Sequence, residues 1–229
     1  MKQQFDDATN VLEIIIANKK LTTDNYSQEK AITLAKSIWG AIHSYVKDNI
    51  TVYQNWDKQD YEHRKKFVAD ILNMLLEKFD GTNNSKPKIY FKEEIQKLWP
   101  KQIQQPAACC YSPALSPWAK KYFDTTTLDA SKPFFAFFND LSQEQILWMI
   151  THEFTHYLQG MGKSSLSSDV VKQAAEYYAY YYMDKNKYKQ IYVDSIHEVE
   201  ANRVGKYVNE QVAQMMKTNN MVLNNDYTI

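Results

Sequence analysis

Two histidines four residues apart, with an acid beside the first, are the residues of this chain whose types and spacing can do chemistry: His152-Glu153-Phe154-Thr155-His156. On a helix such a pair lies one turn apart on one face, so both imidazoles can reach a single ion. Zinc takes neutral nitrogen donors into a tetrahedral shell, and a catalytic zinc site keeps one position for water. Zinc lowers the pKa of that water toward ~7. Glu153 stands where it can take the water's proton and hand it to a leaving amine. The expected cofactor is Zn2+, and the expected reaction is hydrolysis with Glu153 as general base. A plain amphipathic helix with two satisfied histidines is the bland alternative.

The elements around the motif are legible. Ser142-Gln143-Glu144-Gln145 has the form of a capping box, so a helix should begin near Gln143. It runs through Ile146, Leu147, Met149, Ile150, Phe154, Tyr157 and Leu158, and Gly160 and Gly162 supply its stop. Ahead of it, Pro133-Phe134-Phe135-Ala136-Phe137-Phe138 reads as a strand ended by Asn139-Asp140. Two more helices are expected over Ser168–Met183 and Ser195–Met216.

Motif, preceding strand and later acidic helix together resemble the zincin metallopeptidases over about Phe134 to Val208. The resemblance implies an α+β fold, mainly helical, with a small antiparallel or mixed sheet. It also implies that Phe134–Phe138 is the edge strand against which a peptide substrate pairs. Tyr157-Leu158-Gln159-Gly160 follows His156 with no His-x-x-Gly-x-x-His continuation, which points to the branch in which a Glu completes the site.

Three carboxylates compete for that third position. Glu176, twenty residues beyond His156, has a spacing close to that of thermolysin-like enzymes. Glu198 and Glu200 lie two apart, and a helix turns such a pair ~200° from each other, so one face can take only one of them. Against a buried face defined by Ala201, Val204, Val208, Val212 and Met215, Glu200 falls ~60° from the centre and Glu198 ~100°. Glu200-Ala201-Asn202 also looks like the ligand segment of bacterial and phage repressor-cleaving metallopeptidases. Glu200 is therefore expected, ahead of Glu176 and Glu198. A developing oxyanion needs a donor, for which His197, Arg203 and Tyr192 are candidates. Asp194 and Asn202 are candidates to orient a ligand imidazole.

The rest of the chain reads as scaffold. Ile32, Ala35, Ile38, Trp39, Ile42 and Val46 recur at helical spacing within Gln28–Val46, and so do Phe67 to Phe79 within Asp60–Phe79, with Gly81 as a stop. Residues 1–85 are expected as a helical N-terminal extension packed on a catalytic region, 86–229. Lys88–Phe91 is β-prone, Glu93–Leu98 is a short helix ended by Pro100, and Gln102–Lys132 is irregular with a short strand near Ala108–Tyr111. Adjacent Cys109 and Cys110 are read as reduced thiols without chemistry. His43 and His63 are read as ordinary surface residues.

Composition limits the partners. With 27 basic and 27 acidic side chains the chain has no net charge and no electrostatic pull toward nucleic acid or anionic membrane. No apolar run approaches the ~20 residues of a membrane helix. The first residues, Met1-Lys2-Gln3-Gln4-Phe5-Asp6-Asp7, carry acids where a secretory leader has basic and then apolar residues, so a cytoplasmic location is expected, with leaderless export as an effector left open. The expected partner is a peptide or protein substrate. A non-catalytic zincin-like module that uses zinc for protein binding is the second reading.

Overall fold

The computed structural model describes residues 8–81, 86–99, 106–113, 131–138 and 140–225. Most of the irregular stretch expected over Gln102–Lys132, with Pro100 and Asn139, lies outside them. In chain order the helices are α1 (Ala8–Asn25), α2 (Gln28–Asp48), α3 (Ile50–Gln54), α4 (Tyr61–Asp80), α5 (Lys92–Leu98), α6 (Gln143–Gly160), α7 (Ser168–Met183), α8 (Lys189–Asp194) and α9 (Ile196–Asn225). The strands are β1 (Lys88–Phe91), β2 (Ala108–Tyr111) and β3 (Phe134–Phe137). The fold is α+β, mostly helical with a small mixed sheet.

Local chemistry starts and stops these helices. Ser27 and Asp60 cap α2 and α4 by accepting from Lys30 N at 3.3 Å and His63 N at 2.9 Å. Gly81, at a φ of 76°, ends α4 in a conformation that costs other residues strain. At the start of α6, Gln145 Oε1 accepts from Ser142 N at 3.3 Å, one arm of the expected capping box.

The sheet corrects one expectation. Its order is β1-β3-β2, with β1 parallel and β2 antiparallel to β3. The Phe-rich strand is thus central, paired on both sides, and is not the edge expected to receive a substrate. Every residue of β3 is buried. Phe135 and Phe137 enter the main core, whereas Phe134, Ala136 and Phe138 pack with Ile95 of α5 and Tyr111. A strand covered on both faces reads as a continuous apolar run, which explains its composition.

The main core unites Ala35, Ile38 and Ile42 of α2, Ile71, Leu72 and Leu75 of α4, Leu147, Ile150 and Phe154 of α6, and Val204 and Val208 of α9. Helix α1, absent from the sequence reading, closes the other side: Leu21 packs with Leu166, Val171 and Ile196, and Ile14 with Tyr188 and Ile191. Among the described residues no helix is long and apolar enough to cross a membrane.

Helices α6 and α9 run antiparallel and close together. Asn209 Nδ2 donates to Glu144 O at 2.7 Å, and Gly205 lies against Trp148. A Cβ at Gly205 would stand 2.6 Å from Trp148 Cδ1, so the approach requires glycine. Two further turns toward the start of α9 bring Glu198 beside His152 and His156.

Candidate metal centre

Residues Thr151 to Gln159 of α6 are all buried. A helix covered all round must satisfy its polar groups internally. Thr151 and Thr155 do so by donating to Leu147 O and Thr151 O, each at 2.8 Å. The polar atoms of His152, Glu153 and His156 are turned toward the start of α9 and toward β2.

His152 Nε2 and His156 Nε2 lie 3.1 Å apart. Glu198 faces both, with Oε2 3.5 Å from His152 Nε2 and Oε1 3.5 Å from His156 Nε2. Ligand atoms of these three residues all lie within 4.8 Å of one another, and the group could hold a metal ion. Glu198 is 5% exposed, and its Oε2 has no hydrogen-bond partner; neither has His152 Nδ1. A buried carboxylate with one unpartnered oxygen, facing two imidazole nitrogens, is stabilised by a positive charge between them. A tetrahedral ion with bonds of ~2.0–2.1 Å has ligand–ligand edges of ~3.3–3.4 Å, and the three nearest approaches lie close to that length, the two to Glu198 being made by different carboxylate oxygens.

The electrostatics agree with this. Burial would push the His156 ring down, but the Glu198 charge and hydrogen bond outweigh it and carry it up to about 9. His152 is pushed down to about 3 by burial and by His156, against the pull of Glu198. Burial would raise the Glu198 carboxyl, yet His156 and then His152 and His197 hold it well below the ordinary range. Without an ion, one proton on His156 supplies the central charge.

Glu153 points to the sheet. Its Oε2 accepts from Cys110 N at 2.6 Å, and burial pushes its carboxyl up to about 7. A group held near neutrality in this way is suited to take and return a proton. Cys109 and Cys110 are free thiols, and burial raises both well above their ordinary value, with the Glu153 charge adding to the effect. No reactive thiolate is expected there.

The structure separates the remaining candidates. Glu200, the expected third ligand, is turned away: its carboxylate accepts from Gln159 Nε2 at 2.8 Å and from Ser165 N at 3.0 Å. Glu198 faces the two imidazoles instead, and Glu176 is exposed on α7. His197 is buried at the site's edge, with Nδ1 2.8 Å from Ser195 Oγ and Nε2 3.8 Å from Glu198 Oε1. Burial lowers it to about 4, so it is a neutral donor. Tyr192 is 37% exposed, and its hydroxyl is held protonated chiefly by the Glu198 charge, with burial and Glu153 adding. Arg203 does not join the site: its charge acts on Tyr26, just past the end of α1, and its Nε has no hydrogen-bond partner. Asn202 favours the protonated His152 ring, whereas Asp194 Oδ2 is taken by Gln190 at 2.9 Å.

Sequence reasoning passed over three supporting residues. Gln159 Oε1 meets His156 Nδ1 at 2.8 Å, Tyr178 donates to Glu198 Oε1 at 2.9 Å, and Gly205 admits α9. Signals existed for two of them: Gln159 sits three residues past His156 on the same helix, and a lone glycine inside a helical pattern usually has a packing reason. Tyr178 had none. Comparison of the chain with protein-family models, curated proteins and solved structures finds no match.

Proposed function

We propose that this protein is a zinc-dependent metallopeptidase in which His152, His156 and Glu198 hold the ion and Glu153 is the general base. The observation carrying this reading is the convergence of three buried donors, at 3.1, 3.5 and 3.5 Å, beside a carboxylate held near neutral pKa. Zinc, when bound, supplies Lewis acidity and lowers the pKa of a water toward ~7. The chain does the rest. Cys110 N–H holds Glu153 Oε2, leaving Oε1 to take the proton of the attacking water and later deliver it to the departing amine.

His197 and Tyr192 are the donors for the oxyanion. With the Ser195 hydroxyl donating to His197 Nδ1, the ring presents Nε2–H toward the Glu198 side of the site. Tyr192, partly exposed and under the charge of Glu198 and Glu153, marks the side from which substrate enters. Arg203 has no part in this scheme.

A non-catalytic zinc-binding module is the second reading, favoured by one observation: the strand expected to receive a peptide, β3, is paired on both sides. Metal analysis of the purified protein, combined with a broad peptide-cleavage screen of wild type and Glu153→Gln, decides between them. One zinc per chain with cleavage that disappears in the variant supports the peptidase. One zinc without cleavage supports the module, and no transition metal at all defeats both.

A further inference from the structure

We infer that Ser165, Glu200 and Gln159 form a positioning relay that fixes the ring tautomer with which His156 meets the ion, an inference resting on the metal-centre reading above. Glu200 is 0% exposed, and a carboxylate so placed needs donors around it. It has three: Gln159 Nε2 at 2.8 Å, Ser165 N at 3.0 Å, and the Ser165 hydroxyl in a short contact. Gln159 Nε2 also donates to His197 O at 2.9 Å. Both partners of that amide group, a carbonyl and a carboxylate, can only accept, so the NH2 end of Gln159 must face them. The oxygen end is thereby committed to His156 Nδ1, 2.8 Å away. An oxygen there requires Nδ1–H, and the lone pair of the neutral ring is left on Nε2, the atom facing His152 and Glu198.

The relay also explains two buried carboxylates two residues apart. Glu198 is a ligand and Glu200 orients a ligand, each through a different face of α9. Ser165 brings in the segment between α6 and α7, so the chain leaving the motif helix folds back to support it. The same Gln159 amide grips the carbonyl of His197, the residue before Glu198, and one side chain therefore registers both halves of the donor set.

The test is Glu200→Gln, nearly isosteric and uncharged. The introduced amide must give its oxygen to Ser165 N–H, so its NH2 meets the NH2 of Gln159, donor against donor. Turning Gln159 over relieves that clash but sets an NH2 against His156 Nδ1 and favours the ring with Nε2–H. The variant should still take one Co2+ per chain with the wild-type visible band shape, at an affinity ~10–100-fold weaker by chelator competition. In the zinc-loaded, 15N-histidine-labelled protein, the hydrogen-bonded Nδ1–H of His156 should be present in wild type and lost or shifted in the variant. A purely structural role for Glu200 would move neither the ring signal nor the affinity of the folded fraction.

Wild-type affinity and an unchanged ring signal in Glu200→Gln overturn the relay. A lost visible band overturns it too, since Glu200 would then be a ligand. Wild type that binds no Co2+ defeats the metal centre itself, whereas wild type that binds beside an unimpaired variant defeats the relay alone. Urea unfolding in excess chelator shows whether Glu200→Gln reaches the native fold. Where it does not, Ser165→Ala reads the same relay with every charge kept, and a ~2–5-fold weaker affinity is expected. No loss in Ser165→Ala overturns the inference.

Discussion

Replacing Glu153 by glutamine separates its chemical role from its cost to the fold. The Glu153 carboxyl sits at about 7 in the folded protein, against an ordinary 4.5. Its folded value is the raised one, so between those pH values the unfolded chain binds fewer protons than the native state. Stability of the metal-free protein therefore falls as pH rises through this window and stays lowered above it. At ~1.4 kcal/mol per pH unit the gap amounts to ~3 kcal/mol. Glutamine keeps an oxygen for Cys110 N–H and has no proton to lose. Metal-free Glu153→Gln should match wild type near pH 4.5 or below and exceed it by about 3 kcal/mol above about pH 7. Urea denaturation followed by circular dichroism, in excess chelator and across that range, measures the difference. Zinc-loaded, the variant should keep its metal and lose ~10²–10⁴-fold in peptide cleavage. A stability difference that does not widen with pH refutes the burial argument, and undiminished cleavage refutes the role of base.

Three further outcomes are expected. Glu198→Gln should abolish stoichiometric zinc binding, while Glu176→Gln at its exposed position should leave binding intact and stability within ~0.5 kcal/mol; atomic absorption after dialysis reads both. Because Glu198 carries His156 up to about 9, zinc entering at neutral pH must displace a proton, and calorimetry in buffers of different ionisation heat should report about one released. The affinity should accordingly weaken about tenfold for each pH unit below that value, and absence of proton release speaks against the His156–Glu198 pairing. Gly205→Ala, whose Cβ would stand 2.6 Å from Trp148 Cδ1, should cost ~1–3 kcal/mol and weaken zinc binding by moving α9 off α6. Unchanged melting temperature and unchanged affinity would mean that the two helices do not need that approach.

Where one face of an element alone is buried, its residues announced it. Helices α2 and α4 bury Ala35, Ile38 and Ile42, and Ile71, Leu72 and Leu75, at the spacing their sequences predict, and caps at Ser27 and Asp60 place their starts. Helix α1 shows the limit. Its apolar residues cluster from Val11 to Ile16 without a clean period, and it buries only a narrow stripe through Ile14, Asn18 and Leu21. Leu12 and Ile16 on the same helix remain 60% and 56% exposed. Periodicity cannot reveal a helix whose apolar residues are shared between core and solvent. Strand β3 was legible as a strand but not as the middle of its sheet, because pairing partners far earlier in the chain leave no local trace.

The same physics decides which acid faces the two imidazoles. Along the body of α9 a single face, through Val204, Val208 and Val212, is the centre of burial. Its first turn obeys no such rule, since Ser195, Ile196, His197, Glu198, Glu200 and Ala201 are all buried, enclosed by α1, α6, α7 and α8. Val199 alone of this stretch is partly exposed and both acids are buried, so the ~200° between Glu198 and Glu200 ceases to be a choice between inside and outside. Each acid must find donors in its own direction. Glu198 finds the two imidazoles and the Tyr178 hydroxyl, and Glu200 finds Gln159 and Ser165. Paired acids in an enclosed helical turn are therefore divided by what stands opposite them: Glu200 has three donors, whereas Glu198 Oε2 faces the His152 ring with no hydrogen-bond partner.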